Sequence, residues 1–179
     1  MKRYIALLRG INISGKNKVA MAELRRGFEE LGYTAVKTCL NSGNVMFSSE
    51  EDDVGKLTDQ IREMLENQLQ LDVPVFVMPQ EDLEDILCHA PNWWGSESGD
   101  IYDNLIFIMP PASFEDVYGE IGAPKEELER IQPYRRAVFW SFNRKDYQKT
   151  NWWPKTASAD IRTQLTIRTA NTVRKIVAL

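Results

Sequence analysis

Residues 4–18 read Tyr4-Ile5-Ala6-Leu7-Leu8-Arg9-Gly10-Ile11-Asn12-Ile13-Ser14-Gly15-Lys16-Asn17-Lys18. The apolar part, residues 4–8, predicts a buried strand. Apolar residues at helical spacing begin near Met21, so the polar part is a strand-to-helix connection. A connection that only turned the chain would not need three cations. Main-chain N–H groups near a helix start, together with these cations, favour an anion, so the segment predicts the rim of an anion-binding site.

The segment also has two other interpretations. Gly10-x-x-x-x-Gly15-Lys16-Asn17 comes within one residue of the phosphate loop of nucleotide hydrolases, but that loop needs a serine or threonine after the lysine to bind Mg²⁺. Asn17 stands there instead, which argues against a nucleoside-triphosphatase. The segment could also be purely structural, with Asn12 and Asn17 bonding to their own backbone and the glycines supplying positive φ.

The chain outward from this segment predicts strand, helix, strand, strand, helix, strand. Residues 34–48 form a hairpin through the turn Asn41–Asn44, with Leu40 on the same face as Val36, and Asp52 or Asp53 caps the second helix. The strand at residues 73–78 contains Pro74, which predicts a sheet edge. This order is the split βαβ, or ferredoxin-like, unit. It brings the loop at residues 9–18 and the Asn41–Asn44 turn to one end of the sheet.

A second set of elements in the same order follows a connector. We expect an α+β fold of two ferredoxin-like subdomains with mainly antiparallel sheets, at residues 1–79 and 104–179, joined by residues 80–103 and ending in a helix. Within the second set, Leu105 to Met109 predicts a strand, Pro154 a helix start and Asn171 the cap of the final helix.

Composition narrows the function classes. The chain has 179 residues, 43% of them apolar, and a net charge of −4. The acidic overall charge argues against nucleic acid as a partner. Residues 1–26 and 125–179 are nevertheless net basic and flank a strongly acidic stretch at residues 50–100, which allows local focusing of an anion. Helix faces exposed to solvent explain the acidic middle equally well. The absence of a long apolar run predicts no membrane partner, and two cysteines favour the cytoplasm.

Other motifs have structural interpretations. Adjacent Cys88 and His89 do not face each other on a helix, which argues against a catalytic pair, and Cys39 is expected to be a small core residue. Asn-Trp-Trp occurs at residues 92–94 and 151–153. These tryptophans could stack on bases, pack in the core or anchor a partner protein. We predict no metal and no cofactor.

Three stretches resemble a known family. Leu8-Arg9-Gly10-Ile11-Asn12 with Gly15-Lys16-Asn17, then Ser42-Gly43-Asn44-Val45, then Arg168 with Asn171-Thr172 resemble the bacterial domain of unknown function 1697. Thr169 and Ala170 stand where the family pattern has asparagine and tryptophan. The resemblance implies two ferredoxin-like halves and implies no activity.

These observations favour a binding module for a small anionic or phosphorylated ligand. The alternatives are a small cytoplasmic enzyme using the same pocket and a protein–protein interaction module, with a homo-oligomer also open. No acid–base residue is apparent near the loop, so catalytic residues are not assigned. The predicted ligand-binding residues are Arg9, Gly10, Asn12, Gly15, Lys16, Asn17, Lys18, Ser42, Gly43, Asn44, Arg168, Asn171 and Thr172.

Overall fold

The structure is a computed structural model that describes all 179 residues. The chain forms two compact units, one of residues 1–84 with residues 175–179 and one of residues 85–174. Helices α3 (Gln80–Cys88) and α6 (Ala170–Val177) each contain a boundary between the units. The predicted subdomain limits at residues 79 and 104 stay a prediction.

The first unit has the split βαβ order. Its elements are β1 (Lys2–Leu8), α1 (Met21–Glu30), β2 (Thr34–Cys39), β3 (Asn44–Ser49), α2 (Val54–Leu69) and β4 (Val75–Pro79). The sheet order is β2-β3-β1-β4, with every pair antiparallel. Register pairs Leu7 with Asn44, so the end of β1 and the start of β3 lie at the same end of the sheet. The predicted ferredoxin-like topology of this unit is confirmed.

The core of the first unit follows from alternation along its strands. Tyr4, Ala6 and Leu8 of β1 point to the same face and pack with the apolar faces of α1 and α2. Helix α2 begins at Val54 and is capped by Asp53, whose carboxylate accepts from the N–H groups of Gly55 and Lys56. The cap is therefore Asp53, one of the two predicted residues.

The second unit has the same order of strands and helices, but the helical segment before its last strand is divided into a short helix and two 3-10 turns. Its elements are β5 (Ile101–Ile108), α4 (Phe114–Ile121), β6 (Glu129–Tyr134), β7 (Ala137–Asn143), α5 (Trp152–Ser158) and β8 (Leu165–Thr169), with 3-10 turns at Arg144–Lys149 and Asp160–Gln164. The sheet order is β6-β7-β5-β8, again antiparallel. A capping box of Ser113 and Asp116 starts α4. The predicted pair of ferredoxin-like subdomains is confirmed.

Four local predictions are corrected. Pro74 precedes β4, where its carbonyl accepts from the Arg9 N–H, and β4 is nevertheless an edge strand as expected. Leu40 is 49% exposed with a φ of 59° because β2 ends at Cys39. Strand β5 starts at Ile101 rather than Leu105, and α5 starts at Trp152, two residues before Pro154.

No helix in the chain combines the length and the apolar character needed to span a membrane.

Candidate functional site

The connection after β1 is folded on itself. A main-chain hydrogen bond runs from the Asn12 N–H to the Asn17 carbonyl, and another from the Lys16 N–H to the Ile13 carbonyl. The backbone is left-handed at five positions of the connection, which are Gly10, Asn12, Ser14, Gly15 and Asn17. Glycine and asparagine tolerate this region best, which is why four of the five positions carry them.

Two asparagine side chains fix the connection. The Asn12 amide nitrogen donates to the carbonyls of Val19 (3.1 Å) and Asn41 (2.9 Å), and its oxygen accepts from the Val19 N–H at 2.9 Å. The Asn17 amide nitrogen donates to the Gly10 carbonyl at 2.9 Å. Asn12 therefore ties the connection to the β2–β3 turn. The predicted proximity of the loop and the turn is confirmed within the first unit.

Gly43 lies close against the end of β1. Its φ is 80°, and a Cβ there would lie 2.8 Å from Leu8 Cβ and 2.9 Å from Ile11 Cδ1. The Leu8 N–H donates to the Gly43 carbonyl at 2.8 Å. Only glycine meets both demands, a left-handed backbone and no side chain.

The buried amide of Asn44 organises the same turn. Asn44 is fully buried, and its nitrogen donates to the Cys39 carbonyl at 2.8 Å and to the Ser42 hydroxyl oxygen at 3.0 Å. The side chains of Asn12, Asn17 and Asn44 thus bind protein carbonyls and hold the backbone in shape. This agrees with the structural interpretation of Asn12 and Asn17.

Two of the three cations of the connection, Lys16 and Lys18, differ from the asparagines in that their side chains have no hydrogen-bond or ion-pair partner in the protein. Lys16 and Lys18 are exposed and neither makes an ion pair, whereas Arg9 is half-buried. Lys18 lies over the loop, with its Cε 3.6 Å from the position that a Gly15 Cβ would take. Two unpaired ammonium groups are therefore carried by a backbone held by side-chain amides.

Arg168, Asn171 and Thr172 lie in the second unit. Arg168 on β8 is buried, and its guanidinium donates to the Thr166 hydroxyl and the Ile167 carbonyl, both at 2.9 Å. Burial lowers the pKa of Arg168 to about 10, which still leaves the side chain charged at neutral pH. The grouping of these three residues with the glycine-rich loop stays a prediction.

Asn171 was predicted to cap the last helix, and this is wrong. Helix α6 begins at Ala170, and the Thr169 hydroxyl accepts from the Thr172 N–H at 3.3 Å and lies 3.0 Å from the Thr172 hydroxyl. Thr169 is therefore in the capping position, and Asn171 is exposed in the first turn.

A buried carboxylate in the second unit was not found from the sequence. Glu129 is 2% exposed, and its oxygens accept from the main-chain N–H groups of Lys125, Asn151 and Trp152 and from the Trp140 indole N–H. It fixes the start of α5 against the sheet. No pattern distinguishes it from its exposed neighbours Glu126 and Glu127.

The tryptophan repeats divide into buried and half-buried side chains. Trp94 donates its indole N–H to the Asn104 carbonyl, and Trp152 donates to the Gly122 carbonyl. Trp152 is fully buried, so it cannot serve as an exposed anchor for a partner. Trp93 and Trp153 are half-buried.

The cysteines and the histidine have separate environments. Cys39 is buried, and that burial raises the pKa of its thiol, as expected for a small core residue. His89 places its Nδ1 2.8 Å from the Asp85 carbonyl and stacks on Tyr134, with ring centroids 4.3 Å apart. No group of three or more histidine, cysteine, aspartate or glutamate side chains is arranged to hold a metal ion.

Comparison with known proteins supplies a family but no activity. The family model described as protein of unknown function (DUF1697) matches residues 1–139. Among solved structures, the conserved bacterial protein SP0830 from Streptococcus pneumoniae is 29% identical, with a TM-score of 0.83 over 99% of this chain and 97% of that one. An unknown protein from Galdieria sulphuraria is 11% identical, with a TM-score of 0.27 over 94% and 96% of the two chains. No curated protein matches.

Proposed function

Since the chain belongs to the DUF1697 family of proteins of unknown function, we propose a function from the site itself. The glycine-rich connection of the first unit, residues 9–18, binds a small anionic or phosphorylated ligand. The observation that carries this proposal is the pair Lys16 and Lys18, two exposed ammonium groups without an acidic partner on a loop whose shape is fixed by Asn12 and Asn17.

The fixed backbone matters because a preorganised loop loses little conformational entropy when a ligand binds. The amides of Asn12 and Asn17 are already bonded to carbonyls of the loop and the neighbouring turn. We therefore assign the ligand contacts to Lys16, Lys18 and the loop N–H groups. The asparagines and Gly43 position those groups.

The expected affinity is modest. Each exposed ammonium contributes about 0.2–1 kcal/mol to an ion pair in water, whereas a Kd of about 1 mM needs roughly 4 kcal/mol. The two lysines alone should therefore bind inorganic phosphate with a Kd of roughly 30 mM or weaker, and any tighter binding has to come from the loop N–H groups. A ligand with two phosphoryl groups can contact both lysines and should bind more tightly. Binding should weaken as salt rises, because exposed charges are screened.

The test is calorimetric titration with phosphate and pyrophosphate at low salt. The variant is Lys16→Gln with Lys18→Gln, which should lose most of the heat of binding. The control is Lys56→Gln with Lys149→Gln, which changes the net charge equally but removes lysines paired with Glu51 (3.6 Å) and Asp146 (2.8 Å). Equal losses in both double variants, or no binding to the unmodified chain, would refute the loop as the site.

A further inference from the structure

The second unit contains a cavity of about 330 Å³ with aromatic walls. It is lined by Tyr102, Trp140 and Trp153 together with Asn104, Thr156 and Ile167. This volume is at the lower end of the range for small-molecule sites, which are mostly apolar with a few polar groups.

The aromatic walls are held in place by neighbouring rings. The Trp153 ring packs edge-on against Tyr147 (centroids 5.0 Å apart) and Phe142 (5.6 Å). It is also 6.3 Å from both Tyr102 and Trp140. Trp153 is only half-buried by these contacts, so part of a rigidly held indole is left to border the cavity.

Asn104 is the polar group of this cavity. Alternation along β5 puts its side chain on the same face as Tyr102 and Ile106, and its cross-strand partners are Trp140 and Thr169. It is 3% exposed. Its amide nitrogen makes one long hydrogen bond, 3.4 Å to the Tyr102 carbonyl, and its amide oxygen accepts none from the protein.

The Asn104 oxygen is not one of the fully buried side-chain atoms that lack a partner, so it is accessible from the cavity. The neighbouring Thr169 hydroxyl already contacts Thr172, so a molecule in the cavity is what this oxygen can bond to. An asparagine amide offers a donor and an acceptor side by side, which match the paired groups on the edge of a nucleobase. An aromatic wall next to it supplies a stacking surface for the same ring.

A polar cavity of about 370 Å³ shares Tyr102 and Thr169 with the aromatic one. The Arg144 guanidinium lies over the Tyr102 ring, 4.5 Å from its centroid, and makes no ion pair with a carboxylate. Asp103 also lines the polar cavity, but its side chain lies on the opposite face of β5 from Asn104 and Tyr102, where it accepts from the hydroxyl of Ser141. The Arg144 guanidinium, on the Tyr102 side, suits the hydroxyl oxygens of a nucleoside's sugar.

We propose that the second unit binds a nucleoside, with its base stacked on Trp153, the edge of the base hydrogen-bonded to Asn104 and its sugar beside Arg144. This site uses none of the residues assigned to the anion site in the first unit. Either proposal can therefore fail without the other.

The probes are adenosine, guanosine, cytidine and uridine, titrated by calorimetry and followed by the indole N–H signals in nuclear magnetic resonance spectra. At least one nucleoside should bind and shift the Trp153 signal. Trp153→Ala and Asn104→Leu should each weaken that binding roughly tenfold or more. The control Trp93→Ala removes another half-buried indole and should leave the affinity unchanged.

The variant Asn104→Asp distinguishes an effect on recognition of the base from an effect on folding. It keeps the size of the side chain but replaces the amide donor by an acceptor. The order of preference among the four nucleosides should therefore change while circular dichroism stays that of the unmodified chain. The proposal is wrong if none of the four nucleosides binds at millimolar concentration, or if binding is unaffected by both Trp153→Ala and Asn104→Leu.

Discussion

The two units share one strand order but differ in the segments that join the strands. In the first unit the connection after its first strand is the long polar loop at residues 9–20, whereas in the second unit residues 109–113 make the same connection with two prolines. In the connection between the third and fourth strands, it is the second unit that has the more irregular segment. A single 16-residue helix, α2, fills it in the first unit, and the seven-residue α5 flanked by 3-10 turns fills it in the second.

This difference explains why the two sites that we propose on one topology are of different kinds. A continuous amphipathic helix such as α2 covers its sheet, so the polar groups of the first unit collect in the loop at the sheet end. The short α5 leaves a cavity between Trp153 and β5 in the second unit. Different residues support the two proposed sites. Asn12 and Gly43 shape the loop and turn of the first unit, and the buried carboxylate of Glu129 holds the segment that borders the cavity of the second.

The largest expected effect is that of Glu129→Ala. The change leaves the N–H groups of Lys125, Asn151, Trp152 and Trp140 without their acceptor, at a cost of about 4 kcal/mol in the free energy of unfolding. Guanidinium unfolding should show the loss. Hydrogen exchange should increase in residues 144–164 and not in residues 9–18.

The exposed Glu127→Ala is the control and should change stability by less than about 0.5 kcal/mol. If exchange rose equally in residues 9–18 of the Glu129→Ala variant, the assignment of separate supports to the two units would fail.

Gly43→Ala should have the next largest effect, a loss of about 3 kcal/mol in the free energy of unfolding. The added methyl meets Leu8 and Ile11 and also forces alanine into a left-handed backbone. Gly10→Ala is the matched control, because Gly10 has a similar φ of 75° but no atom within 4 Å of the added Cβ. Gly10→Ala should lose only the free energy needed to hold alanine in a left-handed backbone, about 1–2 kcal/mol. Similar unfolding midpoints for the two variants would show that the close approach at Gly43 is unimportant.

Asn12→Ala should cost about 1–2 kcal/mol, since it removes three hydrogen bonds in a partly solvated loop. Its effect should be local, with faster exchange of the Val19 N–H, while residues 144–164 are unchanged. Asn17→Ala removes only the bond to Gly10 and should cost less. The reverse order of the two variants would contradict the role given to Asn12 in joining loop and turn.

The smallest effect is a pH dependence in the first unit. Burial raises the pKa of Tyr33 to about 12 from an ordinary value of 10.0. The unfolded chain therefore loses this proton first, and stability should fall as pH rises from about 10 to about 12. Denaturant unfolding at about pH 9 and about pH 11 should show a steeper decline for the unmodified chain than for Tyr33→Phe. Parallel declines would mean that Tyr33 does not contribute.

The loop and the turn could be placed together from the sequence because both follow from strand order. Once residues 4–8 and 45–48 are adjacent antiparallel strands, the end of one must lie beside the start of the other. The side-chain roles could not be derived the same way. An asparagine such as Asn12 can contact a ligand or its own backbone, and only the observed bonds to Val19 and Asn41 show which it does here.

The cavity of the second unit was missed for a related reason. Tyr102, Asp103 and Asn104 interrupt the apolar pattern, so the sequence predicts that β5 begins at Leu105, whereas it begins at Ile101. Polar residues at buried strand positions look like loop in a periodicity argument. These are the positions at which Asn104 lines a cavity and Asp103 accepts a buried hydrogen bond.

By itself the sequence determined the order of strands and helices, the ferredoxin-like topology of both units and the meeting of the loop with the turn, because periodicity, capping and strand pairing act over short distances along the chain. Only the tertiary structure decided that Asn12, Asn17 and Asn44 bind the backbone and that Glu129 and Asn104 are buried. Burial and hydrogen-bond partners depend on which distant residues pack around a side chain, and no local pattern contains that information.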